Sequence, residues 1–312
     1  VKAMQYDVVA LGEPLIEFNQ VGGISGDYKL GHGGDTSNAV IAAARQGART
    51  GYVTALGADA FGDAFIDLWK TEGVDTSAII RDRDAHTGVY FVSHGPGGHV
   101  FSYLRAGSAA GRLGPEKLPK SYIASAKFLH LSGISQAISA AACDAAFAAI
   151  DVAREAGTKV SFDTNLRLKL WPLARARAVI HATIPLCDLI LPSLEDATAL
   201  TGLERPDAIA DFYLGLGVPL VVLKMGADGV LLATGDGRSR IVGRTVATVD
   251  ATGAGDTFDG AFLSGLARGA APLEAAHYAN AAAALSTCGY GAVAPIPTRA
   301  EVLQYLAQED VE

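Results

Sequence analysis

The sequence predicts an α/β fold: a mostly parallel sheet covered on both faces by helices, with a small β-element set against it. Three observations carry that prediction. Short aliphatic or β-branched runs alternate with longer Ala-rich stretches of helical period through most of the chain, the pattern of strands joined by crossover helices. Residues 87–105 instead alternate at period two around Gly95-Pro96-Gly97-Gly98, as a hairpin does. Half of the 312 residues are hydrophobic and only 19% are charged, enough to bury a real core and too apolar for wholesale disorder.

Along the chain, the first strand is predicted over 7–11, where Val8-Val9-Ala10-Leu11 has no polar face. Residues 18–33 are Gly-rich with little helical signal. Helical spacing begins over 37–46, then come a strand at 50–55 and a helix at 61–72. In the hairpin, Val89 and Phe91 alternate with Tyr90 and Val92, and strand character returns over 100–104. It reads either as a lid over a site or as an edge decoration. Further strands are predicted at 128–131, 159–163, 188–191, 220–224 and 229–233, and helices at 140–156, 173–184, 194–202, 205–216 and 255–267. Sheets of this kind bind ligands beyond the carboxyl ends of their strands, so the residues after each strand are the first candidates for a site.

Lys and Arg number 25 against 33 Asp and Glu, a formal charge of −8. Such a chain has no bulk attraction for nucleic acid or an anionic membrane, and neither is expected as a partner. Cys143, Cys187 and Cys288 are widely spaced and odd in number, so they form neither a disulfide framework nor a C-x-x-C metal knuckle. No apolar run reaches the roughly 18 residues of a membrane span. The N-terminus leads into a strand-like segment without a signal-peptide pattern, and a cytoplasmic protein is expected.

The heaviest motif is Val249-Asp250-Ala251-Thr252-Gly253-Ala254-Gly255-Asp256-Thr257-Phe258. Small residues sit where an extended segment enters a helix, so the backbone can approach an anion and offer it the unpartnered N–H groups of the first turn. Asp256 stands beside that anion. A carboxylate against a phosphate is costly for binding alone, but it is apt if it takes a proton from a hydroxyl attacking phosphorus. Otherwise Asp256 only complements the helix dipole. Lys224-Met225-Gly226-Ala227-Asp228-Gly229 follows an apolar strand and is either a phosphate-lining loop or a plain β-turn. Gly33-Gly34-Asp35-Thr36-Ser37-Asn38 opens a helix and either admits a ligand hydroxyl to the backbone or is only a tight turn.

Other chemistries find no support. The chain has no G-x-x-x-x-G-K-[ST], no H-E-x-x-H and no G-x-S-x-G. Gly289-Tyr290-Gly291-Ala292-Val293-Ala294 fits the loose dinucleotide pattern, but Pro295 and Pro297 follow it, and it is read as a chance match.

On these residues the sequence resembles the ribokinase-like (PfkB-type) carbohydrate kinases from Asp7 to Pro297. Asp250-x-Thr252-Gly253-Ala254-Gly255-Asp256 matches that family's C-terminal signature, and Gly33-Gly34 through Asn38 its N-terminal one. The resemblance implies a three-layer α/β/α body over 4–312 with a β-sheet lid from about 14–33 and 87–107. It implies an ATP donor with Mg²⁺, Asp256 as the catalytic base, and an anion hole at Gly253, Ala254 and Gly255. By the same resemblance Asn165, Ser193, Lys224, Gly226, Gly229, Gly253 and Gly255 line the nucleotide, with Ala281 and Ala284 beside adenine. Asp196 would reach the metal through water, and a monovalent cation would lie near Asp250. The family's Asn-x-x-Glu reads Ser193-Leu194-Glu195-Asp196 here, a departure at this position.

Within the family the chain is most similar to 2-keto-3-deoxygluconate kinases, through Gly33-Gly34-Asp35-Thr36-x-Asn38, Tyr103-Leu104-Arg105 and Asp163-Thr164-Asn165-Leu166-Arg167-x-x-Leu170-Trp171. A sugar acid adds a carboxylate to the hydroxyls of a neutral sugar, and arginine's planar fork suits it. The expected acceptor-binding residues are Gly34, Asn38, Tyr90, Tyr103, Arg105, Ile134, Arg167 and Asp256. Fructokinases resemble the 163–171 stretch as well, so a neutral-ketohexose kinase is the near rival. A sugar- or nucleotide-binding regulator without catalysis is the rival from another class. Because an exposed lid face is a liability, a homo-oligomer is expected.

Overall fold

The computed structural model describes residues 4–21, 26–95 and 98–309. Among these, nine strands hydrogen-bond into one sheet, in the order Gly237–Ile241, Val230–Thr234, Leu220–Lys224, Leu189–Ile190, Lys159–Asp163, Ala126–Ser132, Tyr6–Leu11, Thr50–Val53, Val74–Asp75. All neighbours run parallel except Val230–Thr234, which is antiparallel to both of its partners. The central strands are largely apolar because both faces are covered. Val9, Leu11, Leu129, Leu131, Val221 and Leu223 enter one core with the helices Ala140–Ala156, Leu173–Thr183, Leu194–Thr201 and Pro206–Gly215. Their neighbours Val8, Phe128 and Val222 enter the opposite core, with Ala254–Ala267, Pro272–Ser286 and Arg299–Glu309, since successive strand side chains alternate between faces. The result is a three-layer α/β/α body of ribokinase-like architecture, as expected.

A second sheet stands apart from the body, in the order Asp27–Gly33, Leu15–Val21, Val89–Gly95, Gly98–Leu104. The Gly-rich stretch is therefore half of the lid. Pro96 and Gly97 of the expected hairpin turn, and residues 22–25, lie outside the described residues. Register sets Glu17 beside Tyr90, and Tyr90 opposite Tyr103, so these three share one face. The other face is tied to the body through Phe18, which stacks on Phe91 at 5.1 Å and meets Phe61 of the helix Ala60–Thr71 edge-on at 5.7 Å.

Several sequence-based boundaries shift. The strand expected over 50–55 ends at Val53, and Ala55–Gly57 leaves to pair with Ile80–Asp82. The expectation over 188–191 shrinks to Leu189–Ile190. Two edge strands, Val74–Asp75 and Gly237–Ile241, and the helices Pro272–Ser286 and Arg299–Glu309 have no counterpart in the sequence reading. Neither helix nor strand follows Gly289-Tyr290-Gly291 before Arg299–Glu309, which removes the dinucleotide pattern from consideration. Among the described residues, no helix is long and apolar enough to cross a membrane.

Candidate active site

Beyond the carboxyl ends of the body strands, under the lid, lies a cleft of about 1030 Å³. Its floor comes from residues that end or follow the strands: Glu13, Ile134, Asn165, Arg167, Ser193 and Lys224. The lid contributes Tyr90, Phe101, Tyr103 and Arg105, and the helix Ala254–Ala267 brings its first turn to the same space. All the expected site residues line this cleft except Ala281 and Asp250. Along Pro272–Ser286 and just past its end, Asn280, Ala283, Ala284 and Thr287 face the cleft. At about 100° per residue Ala281 is turned away, and it is fully buried in the core.

Gly253 starts the first turn with φ 76° and no side-chain cap. A Cβ there would stand 2.9 Å from the Ala292 carbonyl oxygen, so both the left-handed backbone and the close packing require glycine. The Ala254 N–H turns back to the Ala251 carbonyl at 3.2 Å, which removes it from the expected anion hole. The Gly255 and Asp256 amides that follow it have no backbone partner among the described residues, and intrahelical bonding begins with the Thr257 amide on the Gly253 carbonyl at 2.8 Å. Asp256 accepts a hydrogen bond from Asn38 Nδ2 at 2.8 Å. Burial, and then the Asp35 carboxylate, push its pKa up to about 7, against the pull of Asn38. That range suits a group that must take up a proton at neutral pH. Asn38 Oδ1 is buried without a protein partner, leaving one acceptor in the pocket.

Gly34 precedes the helix Asp35–Arg45 with φ 117°, and a Cβ on it would meet the Glu13 carbonyl oxygen at 2.7 Å. Asp35 accepts from Asn165 Nδ2 at 2.8 Å. Burial raises the Asp35 carboxyl as well.

The expected carboxylate clamp is organised differently from its sequence reading. Arg105 donates through Nη2 to Glu13 Oε2. Glu13, only 1% exposed at its side chain, also accepts from Ser108 Oγ at 2.5 Å. A buried carboxylate needs a cation and hydrogen bonds, and Glu13 takes both from the lid root. Burial still raises its pKa over the pull of Arg105. Arg105 keeps a buried Nε without a partner and lies 5.7 Å over the Tyr103 ring. Tyr90 donates to Glu17, and burial followed by that carboxylate raises its phenol. Tyr90 and Tyr103 stack at 5.8 Å. Arg167 is exposed, with Nη1 on the Leu166 carbonyl at 2.9 Å.

On the opposite half, Gly226 and Gly229 have φ 59° and 91° in a turn joining two antiparallel strands, so the segment is a turn that also lines the cleft. Ser193 Oγ accepts from the Asp196 amide at 3.1 Å and caps its helix. Asp196 accepts from the Leu166 amide at 3.0 Å, and burial with Asp163 raises its pKa. Lys224 Nζ lies 2.9 Å and 3.1 Å from the two oxygens of Asp259 and 3.2 Å from Asp163 Oδ2. Burial alone would lower its pKa, but the two carboxylates hold it above the ordinary lysine value. The expected phosphate-lining lysine is thus already ion-paired. Asp250 accepts from the Thr252 amide, the Thr252 hydroxyl and the Gly291 amide at 2.6 to 2.9 Å, which commits its oxygens to folding this turn.

Among the described residues no three His, Cys, Asp or Glu side chains converge as a metal site. Glu195 and Asp196 nevertheless line the cleft. That donor set fits a hard divalent ion that keeps its waters and takes phosphate oxygens as ligands. Sequence reasoning missed Glu13 and Asp259. The available signals were an acid two residues past the first strand and a lone charge within an apolar helical face.

Comparison with known proteins agrees with this geometry. The chain is 33% identical over 314 residues to 2-dehydro-3-deoxygluconokinase of Bacillus subtilis (strain 168), covering 98% of this chain and 97% of that one. It is 35% identical over 317 residues to Fructokinase-2 of Solanum habrochaites, covering 96% and 95%. The structure superposes with a TM-score of 0.87 on a fructokinase from Vibrio cholerae O395 bound to fructose, ADP and calcium ion, at 29% identity, covering 96% and 98%. The sequence profile of the pfkB family of carbohydrate kinases matches residues 3–299, and the chain belongs to that family.

Proposed function

We propose that this carbohydrate kinase transfers the γ-phosphoryl group of ATP to the terminal hydroxyl of 2-keto-3-deoxygluconate, giving the 6-phosphate. The observation that carries the reading is the pairing of an uncapped helix N-terminus with Asp256, whose pKa is pushed up to about 7 in the same first turn. The helix amides receive the phosphoryl group, and Asp256 takes the proton of the attacking hydroxyl. Asn38 orients Asp256 through its amide and offers Oδ1 to an acceptor hydroxyl. Arg167, exposed at the cleft, and Arg105 on the lid hold the acid end, with Tyr90, Tyr103, Gly34 and Ile134 shaping the space between. The nucleotide runs past Lys224, Gly226, Gly229, Asn165 and Ser193 to the face of Ala284. Asp196, with Glu195 beside it, would hold Mg²⁺ through water. When bound, such an ion offsets the negative charge of the transferring phosphate.

The subgroup relatives and the two arginines support the sugar acid. The Glu13–Arg105 pair favours a second reading, a neutral ketohexose acceptor, because it neutralises the lid's cation before any substrate arrives. A coupled ADP-release assay with 2-keto-3-deoxygluconate and fructose side by side tests both. Preference for the acid supports the first reading, and preference for fructose replaces it with the second. Turnover of neither, with nucleotide still bound, would leave a non-catalytic binding protein.

A further inference from the structure

Asp259 lies on the helix Ala254–Ala267, just under one turn past Asp256, and no role in the reaction has yet been given to it. Its neighbours Phe258, Ala261, Phe262 and Leu263 are buried apolar side chains. A carboxylate in that company is costly unless it is paired. Both of its oxygens take Lys224 Nζ, and Asp163 accepts the third contact. An ammonium has three protons, so all of them are spent. The two partners are not equivalent. Asp259 binds twice, is 1% exposed and does not line the cleft. Asp163 binds once, at the longer distance, and stands on the cleft wall.

The ammonium also has a fixed relation to the first turn of the helix. A Cβ built on Gly255 would lie 3.5 Å from Lys224 Nζ, so the charge is seated directly against the backbone that receives an anion. We propose that Asp259 is a positioning residue for phosphoryl transfer, anchoring Lys224 from behind so that its third donor passes from Asp163 to the incoming phosphoryl oxygen. The proposal rests on the kinase reading above. Asp259 never meets the nucleotide and acts only through Lys224, which makes its loss and the loss of Lys224 one event rather than two.

The test is steady-state ADP release by the 312-residue chain with ATP and either 2-keto-3-deoxygluconate or fructose, comparing Asp259→Asn, Lys224→Met and the double variant. Asp259→Asn is expected to lower kcat about 10- to 100-fold, the usual effect of losing a supporting partner, with little change in acceptor KM. Added to Lys224→Met, it should cost no more than about twofold further, since coupled residues are not additive. A near-wild-type kcat for Asp259→Asn overturns the proposal. So does a loss confined to acceptor KM, or a double variant whose losses multiply. Should Asp259→Asn fail to fold, Lys224→Met/Asp259→Leu removes both charges together. Turnover equal to that of Lys224→Met then supports the proposal, and a further loss of roughly tenfold overturns it. A wild type that releases no ADP with either acceptor overturns the kinase reading and this proposal with it. An active wild type beside an unimpaired Asp259→Asn overturns this proposal alone.

Discussion

Asp256 has few neighbours that favour its charge. Asp35 and Asp163 oppose its ionisation, Asn38 and Lys224 favour it, and burial outweighs both, leaving a pKa of about 7. As a base it must be deprotonated to act, so kcat/KM should rise with pH through about 7 and level off above it. Asn38→Ala removes a hydrogen bond that stabilises the anion and should move that limb to higher pH. Asp256→Asn should retain nucleotide binding and lose roughly 10²–10⁴-fold in kcat, and turnover near wild type would remove Asp256 from the mechanism. At the lid root Arg105 pairs with Glu13, so under the proposed function Glu13 and the sugar acid's carboxylate would compete for one guanidinium. Glu13→Gln should lower the KM for 2-keto-3-deoxygluconate and leave that for fructose unchanged. Arg105→Ala should cost the acid acceptor about 1.5–3 kcal/mol, the worth of a charged hydrogen bond. Unchanged constants in both variants would detach the lid root from acceptor choice.

At the scale of elements, legibility followed contrast. The strand at Lys159–Asp163 and the helix at Ala140–Ala156 agree with their sequence-based bounds, because apolar runs and helical periods contrast with what flanks them. Gly237–Ile241 reads Gly-Arg-Ser-Arg-Ile, polar and mostly exposed, since an edge strand buries little and leaves no apolar run to find. Pro272–Ser286 failed for the opposite reason. Its alanines are buried on several sides, so no polar stripe sets the phase; Ala281 was carried over from the family resemblance, and no such stripe was there to show that it faces the core. Glycine-dependent junctions were legible where composition was extreme. Gly34 joins lid to helix at φ 117° with no room for a Cβ beside Glu13 and Pro14. Gly34→Ala should therefore destabilise the fold by roughly 1–3 kcal/mol through backbone strain, visible as a lower urea midpoint. An unchanged midpoint would mean that the junction adjusts without strain.

On the scale of the whole molecule, the cleft is built from residues that meet only in three dimensions. Arg105 reaches Glu13 across 92 positions, and Lys224 reaches Asp259 across 35. The sequence marked which strand ends to inspect, but pairings of that range carry no local signal, so both ion pairs were invisible in it. The same geometry divides the cleft into unlike halves. The lid lines one part of it through Tyr90, Phe101, Tyr103 and Arg105, and body residues such as Gly226, Gly229, Asn280 and Ala284 line another; under the proposed function these are the acceptor and nucleotide halves. Ligands that bind the folded chain alone stabilise it by about 2.7 kcal/mol at a hundredfold excess over Kd. With an unfolding entropy of about 2.1 cal/mol/K per residue, that is a rise in Tm of roughly 4 °C for a chain this long. Mg²⁺-ATP and 2-keto-3-deoxygluconate should each raise Tm separately. In Arg105→Ala, at the same ligand concentration, the acceptor's increment should fall to roughly 2 °C or less while the nucleotide's persists, because only one of them depends on the lid. Loss of both increments would mean that lid and body hold the two ligands jointly, and loss of neither that Arg105 takes no part in binding.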